Sequence, residues 1–478
     1  MRLVEAAERE AAELNGTEED GPRHAVTRAA ARGMLRAFEL APAEDVGGVP
    51  RPGCARRHAS REFNSVCRTP CMRIGVDASC WSNRRGYGRY TRELLRALVE
   101  LAPEEEWIFF LDPWTDAVFD LSGANVRRVV VRQGRSPSQA ASANGSRSPR
   151  DMLRFTAAVR AEALDVFFCP SVYTYFPLPP ALRAVVAVHD AIAERYPTLT
   201  LPSLRSRLFW RAKVRLALRQ ARIVLTVSDY SARDLVQVLG VAPDRIRVAG
   251  EAPATAYRPS EAADIAAAAR RLGLSAADRW FVYVGGFNPH KRVDVLVRAH
   301  TRLAREVVPP PHLVLVGPTT EDVFHSGFSA VKQAIREGGS EQLVHWAGYV
   351  PDEQLRHIHS GAVALVLPSM CEGYGLPAVE AAACGTPVIA TRESPLPTLL
   401  EGGGLFIEPG REDVLLAAMH GMLQDPGERA TLGRAARAAA SRLSWRTSAE
   451  TTLAALREAA GRSENATVRR AAVQEIGA

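Results

Sequence analysis

Two carboxylates and two cations in the C-terminal half could do chemistry. Glu372 lies in the glycine-rich stretch MCEGYG, and Glu380 comes eight positions later within LPAVEAAAC. The apolar run VALVLPS before them reads as a buried strand, and Pro377 suits the first turn of a helix. Glu380 then sits about one turn inside that helix, ~4.5 Å along the axis from Pro377 at ~1.5 Å per residue. Both acids can therefore point into one pocket beyond a strand end. Ionised carboxylates only accept hydrogen bonds, so a pair of them suits sugar or ribose hydroxyls. The plainer alternative is a loop acid and a solvated helix residue. Against it, the helix around Glu380 is mostly apolar, where an unpaired acid is costly. Upstream, Lys291 and Arg292 stand in FVYVGGFNPHKRVDVLVRAH, between a strand ending at Gly285-Gly286 and a helix from Val293. Free backbone N–H groups and the helix dipole favour an anion there, and a diphosphate is the obvious one. Cations at a helix start oppose the dipole, which argues against a merely exposed pair.

The elements that must hold these groups alternate. From Met72 onward, RIGVD, WIFFL, VRRVVVR, LDVFFC, AVVAVHD and IVLTVS read as strands separated by helices such as YTRELLRALVEL and SARDLVQVLG. A second series begins near Trp280 with FVYVGG, HLVLVG, LVHWAG, VALVLPS, PVIAT and GLFIE. Short apolar strands alternating with helices imply parallel sheets covered on both faces. A chain of 478 residues is also too long for one core. The expected fold is therefore α/β, with two doubly wound Rossmann-like domains facing a central cleft. The boundaries are 72–260 for the first and 261–440 for the second, with terminal helices in 441–478. Residues 1–71, rich in Pro, Gly and Arg, read as a disordered extension, with Met72 as an alternative start. Gln133 to Arg150 reads as a mobile polar loop.

Bulk properties exclude several classes. The net charge of +7 is spread along the chain, which suits small anions or a membrane surface better than nucleic acid. No aromatic-basic interleaving of the single-strand-binding kind occurs. Seven cysteines without Cys-x-x-Cys pairs argue against a disulfide framework and a zinc site. No apolar run reaches the ~18 residues of a membrane span. The N-terminus, with Glu5, Glu8, Glu10 and Glu13, is no signal peptide. These features lead to the expectation of a cytoplasmic protein, at most peripheral to the inner face of the cell membrane.

The stretch EGYGLPAVEAAACGTPVIA resembles the acid motif of the family-4 retaining glycosyltransferases, which have the GT-B fold. MRIGVDASCWSNRRGYGRYTRELLRAL is similar to the opening strand, glycine loop and helix of mannosyltransferase-like members. VVAVHDAIAERYP, RIVLTVSDYSARDL and GYVPDEQLRHIHSGAVALVLPS resemble later segments in the expected order. The resemblance covers roughly Met72 to Trp445. It implies that Glu372 contacts the transferred sugar and Glu380 the nucleotide ribose, within a turn formed by Gly373, Gly375 and Leu376. It implies that Lys291 neutralises the departing diphosphate, with Arg292 as a helper. Gly86 and Gly88 would let a first-domain loop approach the donor or acceptor, and His189 would contact the donor sugar near the reacting carbon. A nucleotide-diphosphate sugar is then the co-substrate, with GDP-mannose the choice from the N-terminal resemblance. The acceptor is a growing glycan or lipid-linked saccharide in polysaccharide biosynthesis. No Asp-x-Asp element is present, and neither a cofactor nor a divalent metal is expected.

Two departures stand out. Relatives often carry arginine directly after the strand glycine, where this chain has Gly285-Gly286-Phe287, and Arg292 is differently spaced. Where relatives have Asn-Gly after RIRV, this chain has AGEAPATAYRP, so Glu251 either lines the cleft or ends a strand. Two rival readings are a nucleotide-sugar epimerase of the same architecture and a non-catalytic nucleotide-sugar binding protein. LRSRLFWRAKVRLALRQAR is a basic amphipathic helix, read as packing its apolar stripe into the domain, with an anionic membrane as the other reading.

Overall fold

The computed structural model describes residues 71–136, 148–201, 203–318 and 327–462. The expectation for the leader lies outside them but for Cys71, as do the end of the tail and the middle of the Gln133–Arg150 segment.

The strands form two separate sheets because their apolar runs are buried on both faces. In the first, β1 (Arg73–Asp77), β2 (Glu106–Leu111), β3 (Val126–Val130), β4 (Val166–Cys169), β5 (Ala184–Ala187), β6 (Ala221–Thr226) and β7 (Ile246–Val248) lie in the order β3-β2-β1-β4-β5-β6-β7. In the second, β8 (Trp280–Val284), β9 (His312–Val316), β10 (Val344–Gly348), β11 (Ala364–Leu367), β12 (Val388–Thr391) and β13 (Gly404–Ile407) lie in the order β10-β9-β8-β11-β12-β13. Every pairing is parallel. Such sheets need helices on both faces, which is why VFFC, AVVA and ALVL are buried at every position. The fold is the expected α/β arrangement of two doubly wound sheets.

Seven of the covering helices carry or position the charged groups of the strand ends and the basic surface: α1 (Gly86–Leu101), α2 (Leu204–Gln220), α3 (Asp229–Leu239), α4 (Val293–Glu306), α5 (Asp352–Gly361), α6 (Leu376–Ala383) and α7 (Trp445–Ala459). Local chemistry sets several of their ends. Ser228 caps α3 by accepting from the Ser231 N–H, and Gly240 ends it with φ +65°. Gly375, at φ +85°, turns the chain into α6, and Pro377 occupies its first turn.

One expectation needs correction. The apolar period beginning at Tyr90 hid the true start of α1, so Gly86 and Gly88 belong to its first turn rather than to a free loop. As expected, the basic helix α2 packs one apolar stripe, Trp210, Val214, Ala217 and Leu218, on the core of the first sheet. Val214 and Ala217 are its only buried residues, while Leu204, Leu208, Phe209 and Leu216 are exposed. Periodicity reports that a helix is amphipathic, and it cannot report which side the protein covers.

The last helix, α7, leaves the second sheet and packs on α1 and the strands β5 to β7 of the first. Leu453, Leu456 and Ala459 are buried in that contact. Arg457 reaches Glu104 and Glu105 at 3.0 and 2.9 Å, and Arg247 reaches Glu458 at 2.6 Å. Truncating a fully buried leucine removes transfer energy and leaves a cavity, so Leu456→Ala should cost about 3 kcal/mol. Urea denaturation would check this, and a loss below about 1 kcal/mol would mean that α7 is not integral to the first domain's core.

Candidate active site

Each sheet reverses its strand order once, between β1 and β4 in the first and between β8 and β11 in the second. Such a switch point leaves a crevice beyond the carboxyl ends of the strands, where ligands of open α/β sheets bind. Lys291 comes after β8 and Glu372 after β11, so the two meet across the second crevice. The Lys291 ammonium lies 2.8 Å from each Glu372 carboxylate oxygen. Ser369 Oγ donates to Glu372 Oε1 at 2.6 Å. Arg292 is next, in the left-handed region at φ +51°, a conformation that costs a non-glycine residue roughly 1–2 kcal/mol. Its guanidinium sits 3.5 Å from Asp294 and 3.7 Å from the Met370 sulfur rather than on Glu372. At the position after the double glycine, Phe287 is buried against Phe328 and Trp346.

Glu380, one turn inside α6, is 3% exposed. Arg89, from α1 of the first domain, donates to its Oε1 through Nη1. The same nitrogen reaches the Tyr257 hydroxyl at 3.0 Å, and Nη2 pairs with Asp352 at the start of α5. Tyr257 in turn donates to Asp352 Oδ1 at 3.0 Å. Burial above all, opposed by Arg89 and reinforced by Asp352 and Glu251, leaves the Glu380 carboxyl raised to about 7. The Arg89 guanidinium is held firmly charged between its acids despite its own burial.

His189 stands just beyond β5, edge-on to Tyr90 with 4.4 Å between ring centroids. Its Nε2 is 2.9 Å from the Pro170 carbonyl, and its Nδ1 is 3.6 Å from Glu251 Oε1. Burial opposes the imidazolium, but Glu251 and the Pro170 carbonyl outweigh it and hold the imidazole pKa above its ordinary value. A carbonyl can only accept, so Nε2 carries a proton and Nδ1 faces the acid. Glu251 is thus a buried wall of the junction, and its backbone carbonyl accepts from the Tyr374 hydroxyl of the acid loop.

The glycine turn is shaped by the opposite domain. The Gly373 carbonyl accepts from Ser228 Oγ at 2.6 Å and Ser231 Oγ at 3.0 Å. A Cβ at Gly373 would lie 2.8 Å from Asp190 Cβ and 2.9 Å from the His189 carbonyl, so only glycine fits unmoved. Leu376 is buried at the start of α6. In α1, a Cβ on Gly88 would fall 2.0 Å from the Asn83 carbonyl oxygen, whereas Gly86 faces open space. Close packing therefore requires glycine at 88 and not at 86.

The structure thus gathers Glu372, Lys291, Gly373 and Gly375 at the second crevice, with His189 and Glu380 at the contact between the domains. Arg292 stands beside the set without joining its ion pairs. The reading of the sequence missed Arg89, Tyr257, Asp352 and Tyr374. One signal was present: Arg89 is a cation in the first turn of a helix, the same anomaly that singled out Lys291. Among the described residues, no three His, Cys, Asp or Glu side chains are grouped to hold a metal ion. No helix among them is long and apolar enough to cross a membrane.

Residues 84–250 match the family described as Glycosyltransferase Family 4, and residues 264–439 the one described as Glycosyl transferases group 1. O-antigen chain mannosyltransferase B of Escherichia coli is 30% identical over 370 residues, covering 75% of this chain and 92% of its own. D-inositol 3-phosphate glycosyltransferase of Acidothermus cellulolyticus is 34% identical over 247 residues, covering 50% of this chain and 54% of its own. Sucrose-phosphate synthase from Thermosynechococcus elongatus superposes with a TM-score of 0.64 at 20% identity, over 80% of this chain and 97% of that one. Anabaena HepE, solved in complex with UDP-glucose, gives 0.61 at 20% identity, over 80% and 100%.

The Arg89–Glu380 pair between the domains and the His189–Glu251 pair within the first respond differently to pH. Glu380 has a raised folded-state pKa, so stability falls as pH rises from its unfolded value near 4.5 through about 7. Arg89→Ala raises that pKa further. Its destabilisation, about 3 kcal/mol where Glu380 must ionise, should be larger at pH 8.5 than at pH 5.5. Melting temperatures of both proteins at the two pH values would check this, and equal losses would remove the pair from the account. His189 also has a raised pKa, so its contribution is full below about 6.5 and is lost as pH rises through the folded value. Glu251→Gln should therefore destabilise most in acid and converge on the parent in alkali, with the His189 imidazole titrating lower by NMR.

Proposed function

Because this chain belongs to the family-4 glycosyltransferases of GT-B fold, we propose that it is a retaining hexosyltransferase using a nucleotide-diphosphate sugar. The first choice of donor is GDP-mannose, and the acceptor is a growing glycan or a lipid-linked saccharide in polysaccharide assembly. The observation that carries the reading is the meeting of Lys291 and Glu372 across the switch point, with Glu380 one turn further on. The name of the E. coli relative supports mannose, and the UDP-glucose in HepE is in keeping with a nucleotide-sugar donor.

The chemistry is set by the charges. Breaking the bond from an anomeric carbon to a diphosphate builds negative charge on the phosphate oxygens and positive charge on the sugar. A diphosphate entering the crevice takes the Lys291 ammonium and the free N–H groups at the start of α4, and Glu372 is released to accept from sugar hydroxyls. Glu380, oriented through one oxygen by Arg89, has its other oxygen for the ribose. His189, whose imidazole pKa is held above its ordinary value by Glu251 against its burial, sits beyond β5, where the proposed reaction places the sugar. The acceptor attacks from the face the diphosphate leaves, with no covalent nucleophile assigned. Fixed cations and backbone N–H groups supply the stabilisation, and the proposal includes no divalent metal.

One observation favours a rival. Directly after the strand glycine this chain has Gly286, which brings no cation, and Phe287 beside it is turned into the core, as a non-catalytic nucleotide-sugar binder could tolerate. Thermal shifts with GDP, UDP and ADP and their sugar conjugates, in EDTA, separate the readings. A ligand at 100 times its Kd adds about 2.7 kcal/mol. One nucleotide series should stabilise the protein, and Glu380→Ala and Lys291→Ala should abolish the shift. Release of nucleotide from the conjugate on adding acceptor should fall at least about a hundredfold in Glu372→Ala. No shift with any nucleotide overturns the donor site; binding without turnover leaves the binder. A donor changed without acceptor identifies an epimerase.

A further inference from the structure

Helix α3 of the first domain reaches the acid loop of the second by two routes. One is direct, through the Ser228 and Ser231 hydroxyls on the Gly373 carbonyl. The other runs through Glu393, in the loop after β12. The Tyr230 hydroxyl of α3 donates to Glu393 Oε2 at 3.0 Å, and the Glu393 backbone carbonyl accepts from the Glu372 N–H at 3.0 Å. Arg195, shortly after His189, donates to the Tyr230 oxygen at 2.7 Å and to Asp234 at 3.1 Å, and its second nitrogen lies 3.6 Å from Glu393. With its oxygen accepting from Arg195, Tyr230 has its own proton for Glu393. The loop that carries Glu393 is itself braced. Thr391 Oγ1 accepts from the Glu393 N–H at 3.2 Å, and Ser394 Oγ donates to the Thr391 carbonyl at 2.7 Å. Leu396, three residues on, is fully buried against the turn into α6, where a Cβ at Gly375 would lie 2.8 Å from its Cδ1.

We propose that Glu393 is a positioning residue for the transfer reaction: it fastens the backbone of Glu372 to the first domain, so that this acid is set at the sugar when the domains are together. The inference rests on the hexosyltransferase reading above. An ion pair between Arg195 and the partly exposed Glu393 would by itself contribute little. What gives it weight is the chain of directed bonds, because a shift of Glu393 is passed to the Glu372 N–H through its own carbonyl. A displacement of about 1 Å at a reacting group costs on the order of a hundredfold in rate. Glu372 pairs with Lys291 inside the second domain, so the cation for a diphosphate is in place without Glu393. Losing Glu393 therefore acts on turnover and spares nucleotide binding.

The test reads turnover, nucleotide binding and loop order separately in the full chain. Turnover is nucleotide released from GDP-mannose, or from the UDP or ADP conjugate that thermal shifts select, with mannobiose as acceptor. Glu393→Ala should lower it at least about tenfold, with nucleotide affinity within about twofold of the parent. Glu393→Gln, which still accepts from Tyr230, should recover most of that loss. Tyr230→Phe should speed amide hydrogen exchange across residues 370–376 at least about fivefold and leave β8 unchanged. Combined with Glu393→Ala, it should lower turnover no further than the larger single loss. Unchanged exchange in 370–376 overturns the proposal, as does unchanged turnover in Glu393→Ala. Nucleotide affinity lost together with turnover would make Glu393 a structural residue only, which also overturns it. A parent protein that answers no nucleotide, or binds one without turnover, fails the hexosyltransferase reading itself, and this inference falls with it.

Discussion

At the meeting of the two domains, three carboxylates are out of water, and each is matched by a basic side chain. Glu372 has Lys291, Glu380 has Arg89, and Glu251 has His189. An ionised carboxylate left alone in such a place would cost several kcal/mol, so the partners are a condition of the fold and not an ornament on it. Each pair joins separate elements: Arg89–Glu380 links the two domains, Lys291–Glu372 lies within the second and His189–Glu251 within the first. The same pairs set the remaining constraints of the junction. Gly373 must lack a side chain for the acid loop to come within reach of His189 and Asp190, and its carbonyl must find the Ser228 and Ser231 hydroxyls.

A junction held by exchangeable charges has a functional sense. Ammonium and guanidinium groups that pair with carboxylates in the protein are the groups a diphosphate would recruit, and the carboxylates released are the ones hydroxyls would bind. In the proposed reaction, donor binding is an exchange of partners in a site whose dipoles are already arranged, which is how electrostatic preorganisation lowers a barrier. In that proposal the ribose site is complete only when the domains are together, because Arg89 and Glu380 belong to different domains. Closure and binding are then linked without any added device.

The two helices α2 and α7 carry similar information and are covered to different extents. Both are amphipathic and arginine-bearing. In α7 the apolar stripe meets α1, and its arginines find Glu104 and Glu105. In α2 the stripe of Trp210, Val214, Ala217 and Leu218 packs on the first sheet, while Leu204, Leu208, Phe209 and Leu216 meet solvent. The difference lies in what the rest of the protein brings near, which is a property of topology rather than of either segment.

Much of the architecture was legible in the sequence alone. The strands are short and mostly apolar on both faces, and strands of that kind fit only parallel sheets flanked by helices, so alternation and burial determined the fold class. Glu372, Glu380 and Lys291 were legible for a related reason: each is a charge placed where local structure makes charge expensive. The start of α1 was not, because the glycines of its first turn carry no apolar period. Nor were Arg89, Tyr374 and the role of Glu251, whose partners lie 291, 123 and 62 positions away in the chain. The sequence by itself determined which residues could not stand alone. Only the tertiary structure decided their partners, because a buried charge demands a counter-charge but does not specify where along the chain it comes from.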